Sequence, residues 1–369
     1  MSRAALPAME VADRGSRLRA GLAEAGCDVM LVTHLTNIRY LTGFTGSAGV
    51  LLVDAAGALL VTDGRYQEQA ADELAAAGAT VELAIALTGG GQREVVAERV
   101  DTTARVGLEA DHATWAEVQR FDDEWFPNAT LVPTSGLVED LRAVKDAGEV
   151  ARIEAASAIA DRALAAVLAL LDDGPTETAF AHALDAEMRR TGADDISFAT
   201  IVASGPNGSR PHHSPGPRTI QRGDLVVVDF GALVDGYHSD MTRTIPVGGL
   251  SALNDTQRRM LEVVTASQAA GVAAVRDGGL ASDVDVACRA VIEEAGWGDA
   301  FVHGTGHGVG LDIHEAPGVS ATSTATLANG HIVTVEPGVY LPGHGGVRVE
   351  DTVVVTNDGC RPLTCAPKP

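Results

Sequence analysis

Cysteine is scarce in this chain, positive charge is outnumbered, and no long apolar run survives without interruption. Four cysteines, Cys27, Cys288, Cys360 and Cys365, stand apart without a CxxC pair, which argues against a thiolate metal site and for ordinary packing in a reducing compartment. Lys and Arg total 27 against 50 Asp and Glu, a formal charge of −23. Such a surface repels phosphate backbones and anionic lipid, so neither nucleic acid nor membrane is expected as a partner. The most apolar long stretch, 151–171, is broken by Arg152, Glu154, Asp161 and Arg162. The opening MSRAALPAMEVADRG lacks the apolar core of a signal peptide, and the expected location is the cytoplasm.

What is present suits packed cores. Hydrophobic residues make up 46% and charged residues 21% of 369 positions, a globular composition whose length favours two domains. The first part alternates short apolar runs (29–32, 50–53, 58–61, 81–84, 106–108, 131–132) with helix-like segments (14–25, 67–77, 92–100, 115–125). This is the pattern of an α/β layer fold. Near Leu141-Arg142-Ala143-Val144-Lys145-Asp146 the alternation stops and a long amphipathic helix begins, so the domains are placed at 1–143 and 144–369. The second part reads as α+β, with helices at about 147–171, 177–191, 255–275 and 281–295 between strand-rich stretches at 225–230, 236–244, 332–335 and 347–356. Two carboxylate-bearing hairpins in it hint at an internal duplication.

Within the first hairpin, Asp235-Gly236 is a two-residue turn signal. A turn centred there makes Asp229 face Thr242, with Asp240 its diagonal neighbour on the same face, roughly 7–8 Å away. An Asp at a strand end is often only a turn or cap residue. Asp229, however, follows the apolar run Leu225 to Val228, and a carboxylate there is costly unless a cation or hydrogen bonds compensate it.

A second cluster, His303-Gly304-Thr305-Gly306-His307-Gly308-Val309-Gly310-Leu311-Asp312-Ile313-His314, mounts three imidazoles on a backbone that must turn or approach something closely. The third places Glu336 and Glu350 on what read as adjoining strands, joined by the turn Pro342-Gly343-His344-Gly345-Gly346. An ion pair between Arg348 and Glu350 is the plainer explanation, and it accounts for one acid rather than both. Together Asp229, Asp240, His307, Glu336 and Glu350 offer four carboxylates and one imidazole, a charge that two divalent ions neutralise.

In order, spacing and context these motifs resemble those of the metallopeptidase family that contains Xaa-Pro aminopeptidases, prolidases and methionine aminopeptidases. Thr36-Asn37-Ile38-Arg39-Tyr40-Leu41-Thr42-Gly43-Phe44 and the Arg142 to Lys145 junction are similar to the amino-terminal domain of its proline-specific members. The resemblance implies an α+β pita-bread catalytic domain, shared by creatinase and aminopeptidases, behind a smaller α/β creatinase-type, ribonuclease H-like domain. It implies the five residues above as metal ligands, His212 and Arg348 on the substrate side, and His303 and His314 as histidines that stabilise the tetrahedral intermediate. Glu336 is expected to shuttle a proton as well as to ligate.

The expected cofactors are two divalent ions, manganese first and cobalt or zinc as alternatives, which share an activated hydroxide. The expected substrates are small peptides with proline second, cut before the proline, with removal of the first residue preferred over Xaa-Pro dipeptidase action. A homodimer or larger homo-oligomer is implied by the family. A metal-free creatinase-like hydrolase and a non-catalytic binding module are the remoter alternatives, and both predict lost ligands where all five are present.

Overall fold

The structure is a computed structural model that describes residues 6–368. It divides into two compact units, one spanning Ala8–Arg142 and the other Ala143–Pro369 together with the segment ending at Pro7. That segment joins the second unit through Arg152, whose Nη1 donates to the Pro7 carbonyl at 2.9 Å.

In the first unit a six-stranded sheet runs in the order Glu82–Ile85, Gly57–Thr62, Val50–Asp54, Val29–Val32, Arg105–Glu109, Thr130–Thr134. The two pairings made by Val50–Asp54 are antiparallel and the rest are parallel. Its apolar strands bury Leu31, Leu52, Val61 and Val106 against Phe121, Trp125 and Phe126. Each expected strand and helix of this unit falls within a few residues of an observed one. The helix Leu35–Thr42, which Gly43 ends in a left-handed conformation at φ 80°, is not among the expected helices, being only eight residues long.

The second unit begins with the helix Ala147–Val167, capped reciprocally by Asp146 and Glu149, each accepting the other's backbone N–H at 2.9 Å. It packs with the helix Glu177–Arg190 over one face of the strand Leu225–Phe230, burying Val226, Val228 and Phe230. The strand's period of two turns Asp229 to the opposite side. A second helix pair, Asp255–Ala274 and Ala281–Glu294, covers Val333, Val335, Val353 and Val355 in a separate core.

Each helix pair is followed by three antiparallel strands in sequential order. They are Ile201–Ser204, Leu225–Phe230 and Met241–Pro246 in the first half, then Gly306–Gly308, Ile332–Val335 and Asp351–Thr356 in the second. The hinted duplication thus has a structural counterpart. Asp229 lies near the end of the first middle strand and Glu336 just past the second. Asp240 and Glu350 immediately precede the two third strands.

Candidate metal centre and substrate cavity

The hairpin register is the one its turn dictates. Asp235 (φ 48°) and Gly236 (φ 73°) both adopt left-handed conformations, as a two-residue turn of this kind requires. Asp229 pairs with Thr242, and Leu233 with His238. The continuous strand expected over 236–244 is broken at Ser239 and Asp240, and the one over 347–356 at Val349 and Glu350. Both breaks free a carboxylate from the pleat and turn it toward the same space.

That space is a cavity of about 470 Å³ lined by Asp229, Asp240, His307, Glu336 and Glu350, with His212, His303, His314 and Arg348 around them. All the residues singled out for metal or substrate are therefore gathered there. Phe198, Ile201, Pro215 and Ile313 supply apolar wall, the mixture of apolar lining and convergent polar groups expected of a small-molecule site.

The carboxylates are crowded. Ligand atoms of Asp240, His307 and Glu350 lie within 4.8 Å of one another, and His307 Nε2 is 3.5 Å from Asp240 Oδ2 and 3.4 Å from Glu336 Oε1. Burial, reinforced by neighbouring carboxylates, pushes Asp240 and Glu350 well above the usual carboxylate range. Burial likewise raises Glu336 to about 7, against the opposing pull of Arg348. These shifts describe acids packed together with too little positive charge.

Whether the residues fit a cation can be tested on the protein atoms. The His307 ring lies with Nδ1 3.0 Å from the Gly308 carbonyl, which assigns the proton to Nδ1 and leaves the Nε2 lone pair facing two carboxylates. Burial lowers the His307 pKa to about 4, so the ring stays neutral. Asp229 Oδ1 and Glu350 Oε1 are buried without a hydrogen-bond partner. Lone pairs converging on one another, with orphaned oxygens beside them, are costly for protein alone and suited to divalent cations.

Several partners hold these groups. Thr242 Oγ1 donates to Glu350 Oε2 at 2.7 Å, and Thr334 Oγ1 to Glu336 Oε1 at 3.2 Å. Arg348 donates from Nη2 to Asp229 at 2.6 Å, from Nε to Thr242 Oγ1 at 3.0 Å, and from Nη1 to the Tyr340 hydroxyl at 2.8 Å and the Pro211 carbonyl at 3.3 Å. His303 donates from Nδ1 to the Gly304 carbonyl at 2.7 Å, which leaves Nε2 to accept from the Tyr340 hydroxyl at 2.8 Å. His314 stands edge-on to His307, with ring centroids 4.3 Å apart.

Tyr340 is the functional candidate that sequence reasoning passed over. It shares a strand face with Gly338, where an added Cβ would come within 2.5 Å of the Tyr340 hydroxyl. Glycine two positions before a buried tyrosine was the available signal.

Residues 151–357 match the model of metallopeptidase family M24, and residues 14–144 match the creatinase/prolidase N-terminal domain. An uncharacterized peptidase of Bacillus subtilis is 41% identical over 354 residues, 95% of this chain and 98% of that one. Among solved structures, an Xaa-Pro dipeptidase from Bacillus anthracis superposes with TM-score 0.91 at 38% identity, covering 97% of this chain and 98% of the other. An X-Pro aminopeptidase from Thermotoga maritima does so with TM-score 0.86 at 32% identity, covering 97% and 99%. The two-domain architecture, a creatinase-type unit ahead of a pita-bread unit, is the one the motifs implied. Among the described residues no helix is long and apolar enough to cross a membrane.

Proposed function

The chain belongs to metallopeptidase family M24, and on that premise we propose that it cleaves the bond in front of proline, releasing the first residue of peptides three or more residues long. The observation that carries this reading is the state of Arg348. It is the single Arg or Lys among the described lining residues, and all three of its guanidinium nitrogens are already engaged by protein groups. A strict dipeptidase has to clamp the free carboxylate that follows proline, which calls for an unoccupied bidentate arginine. Arg348 would have to leave Asp229 to serve.

Asp229, Asp240, His307, Glu336 and Glu350 would hold two divalent cations. Oxygen-rich ligation with one nitrogen suits manganese first, then cobalt or zinc. When bound, such ions polarise a carbonyl and lower the pKa of water.

The remaining chemistry belongs to side chains. Glu336, which lines the cavity 3.4 Å from His307 Nε2, is placed to take a proton and return it to the leaving nitrogen. His314 borders the same cavity and can donate to a developing oxyanion, whereas both ring nitrogens of His303 are already engaged by Gly304 and Tyr340. Tyr340 sets the orientation of the His303 ring. A bond before proline is a tertiary amide without N–H, so the apolar wall of Phe198, Ile201, Pro215 and Ile313 can receive the ring with no acceptor left unsatisfied.

Dipeptidase action is the second reading, favoured by the name of the Bacillus anthracis relative. Matched Xaa-Pro and Xaa-Pro-Yaa substrates assayed with manganese separate the two. Efficient cleavage of the dipeptide with the tripeptide untouched would overturn the preference.

A further inference from the structure

Glu177 opens the helix Glu177–Arg190, and its side chain is fully buried. Five donors converge on its carboxylate. Oε1 accepts from Ser204 N at 2.8 Å, Ser204 Oγ at 2.6 Å and Asn207 Nδ2 at 3.0 Å. Oε2 accepts from Gly216 N at 3.1 Å and lies 2.8 Å from His213 Nε2. Burial alone would raise this acid, yet the donors, Ser204 and Asn207 foremost, hold it below the ordinary glutamate value.

All five donors belong to one stretch of chain, residues 204–216. It leaves the strand Ile201–Ser204, carries His212 into the cavity wall, and returns at Gly216. Its two ends are thus fastened to a single carboxylate. Its middle rests on the strand Gly345–Arg348, so closely that a Cβ on Gly208 would meet Gly346 N at 2.9 Å. The Pro211 carbonyl, adjacent to His212, accepts from Arg348 Nη1 at 3.3 Å. His212 therefore stands between a clamp at both ends of its segment and a contact to the arginine that orders the carboxylate cluster.

We propose that Glu177 is a positioning residue for substrate recognition: by fastening both ends of the 204–216 segment it fixes where His212 stands in the cavity. The proposal rests on the reading of His212 as a substrate-side residue. Glu177 reaches the carboxylate cluster indirectly, through the long Pro211 contact to Arg348, so its influence falls first on how the substrate is gripped. The conservative replacement Glu177→Gln keeps the shape and replaces one acceptor oxygen with an NH₂ that must face N–H or O–H donors.

The test compares the full-length wild type with Glu177→Gln, His212→Ala and the double variant, each loaded with manganese. Glu177→Gln is expected to raise KM for an Xaa-Pro-Yaa peptide about tenfold, the size of one lost charge-assisted hydrogen bond, with kcat and metal content held near wild type. The double variant is expected to show a KM no higher than His212→Ala alone, because the effect passes through His212. Amide hydrogen exchange supplies a readout that needs no substrate: exchange should accelerate within 204–216 and stay unchanged in the strand Asp351–Thr356. If Glu177→Gln does not fold, Asn207→Ala removes one of the five donors without touching the cavity lining and should shift KM and exchange in the same direction. An unchanged KM, additive effects of the two substitutions, or unaltered exchange in 204–216 overturns the proposal. Failure to cleave any Xaa-Pro peptide would refute the functional reading alone, since the exchange measurement still decides the positioning claim.

Discussion

Arg348 Nη2 donates to Asp229 Oδ2 at 2.6 Å, so one side chain both neutralises a proposed ligand carboxylate and ties it to the hydrogen bonds of Tyr340 and His303. Lysine cannot reproduce these contacts, because a single ammonium replaces a fork whose three nitrogens point to different partners. Arg348→Lys should lower manganese affinity and kcat/KM by about 10- to 100-fold each, the range for residues that orient metal ligands. Metal titration beside steady-state kinetics checks this. A variant with unaltered metal affinity would show that Arg348 does not organise the cluster.

Glu336→Gln should reduce kcat by about 10²- to 10⁴-fold with a much smaller change in substrate binding, since a proton shuttle acts on the transition state. Metal content has to be measured on the same preparation, because Glu336 is also a proposed ligand. Near-normal turnover in a fully loaded variant would remove Glu336 from the shuttle role.

The pH dependence of metal binding follows from the raised acids. In the metal-free protein burial holds Glu336 at about 7 and keeps Asp240 and Glu350 well above their ordinary values, whereas His307, lowered to about 4, is already neutral. Ligation requires ionised carboxylates. Manganese binding should therefore release more protons at pH 6 than at pH 8, and affinity should rise with pH through about 7. Calorimetry in buffers of different ionisation enthalpy measures the proton count. Equal release at both values would contradict these assignments.

The elements that bear this chemistry were legible in unequal degree. The pairing of Asp229 with Thr242 followed from Asp235-Gly236 alone, because a two-residue turn fixes the register of everything it joins. The breaks that release Asp240 and Glu350 from their strands were passed over, although Ser239-Asp240 and Glu350-Asp351 are themselves weak strand formers. What interrupts the ladder is pairing between the two halves of the unit, with Glu350 N donating to the Thr242 carbonyl at 3.1 Å. The role of Arg348 was half visible: its place beside Glu350 suggested an ion pair, while its 2.6 Å partner is Asp229, 119 positions away. Tyr340 and Glu177 act through contacts that only the folded chain brings together.

The central claim is that five side chains from two matching halves hold two divalent ions that the reaction requires. Elemental analysis of protein stripped by exhaustive chelation and reloaded with manganese, with turnover of an Xaa-Pro-Yaa peptide followed at each step, tests it most directly. Turnover should vanish on stripping and return as manganese approaches two equivalents per chain. Full turnover in demonstrably metal-free protein would contradict it.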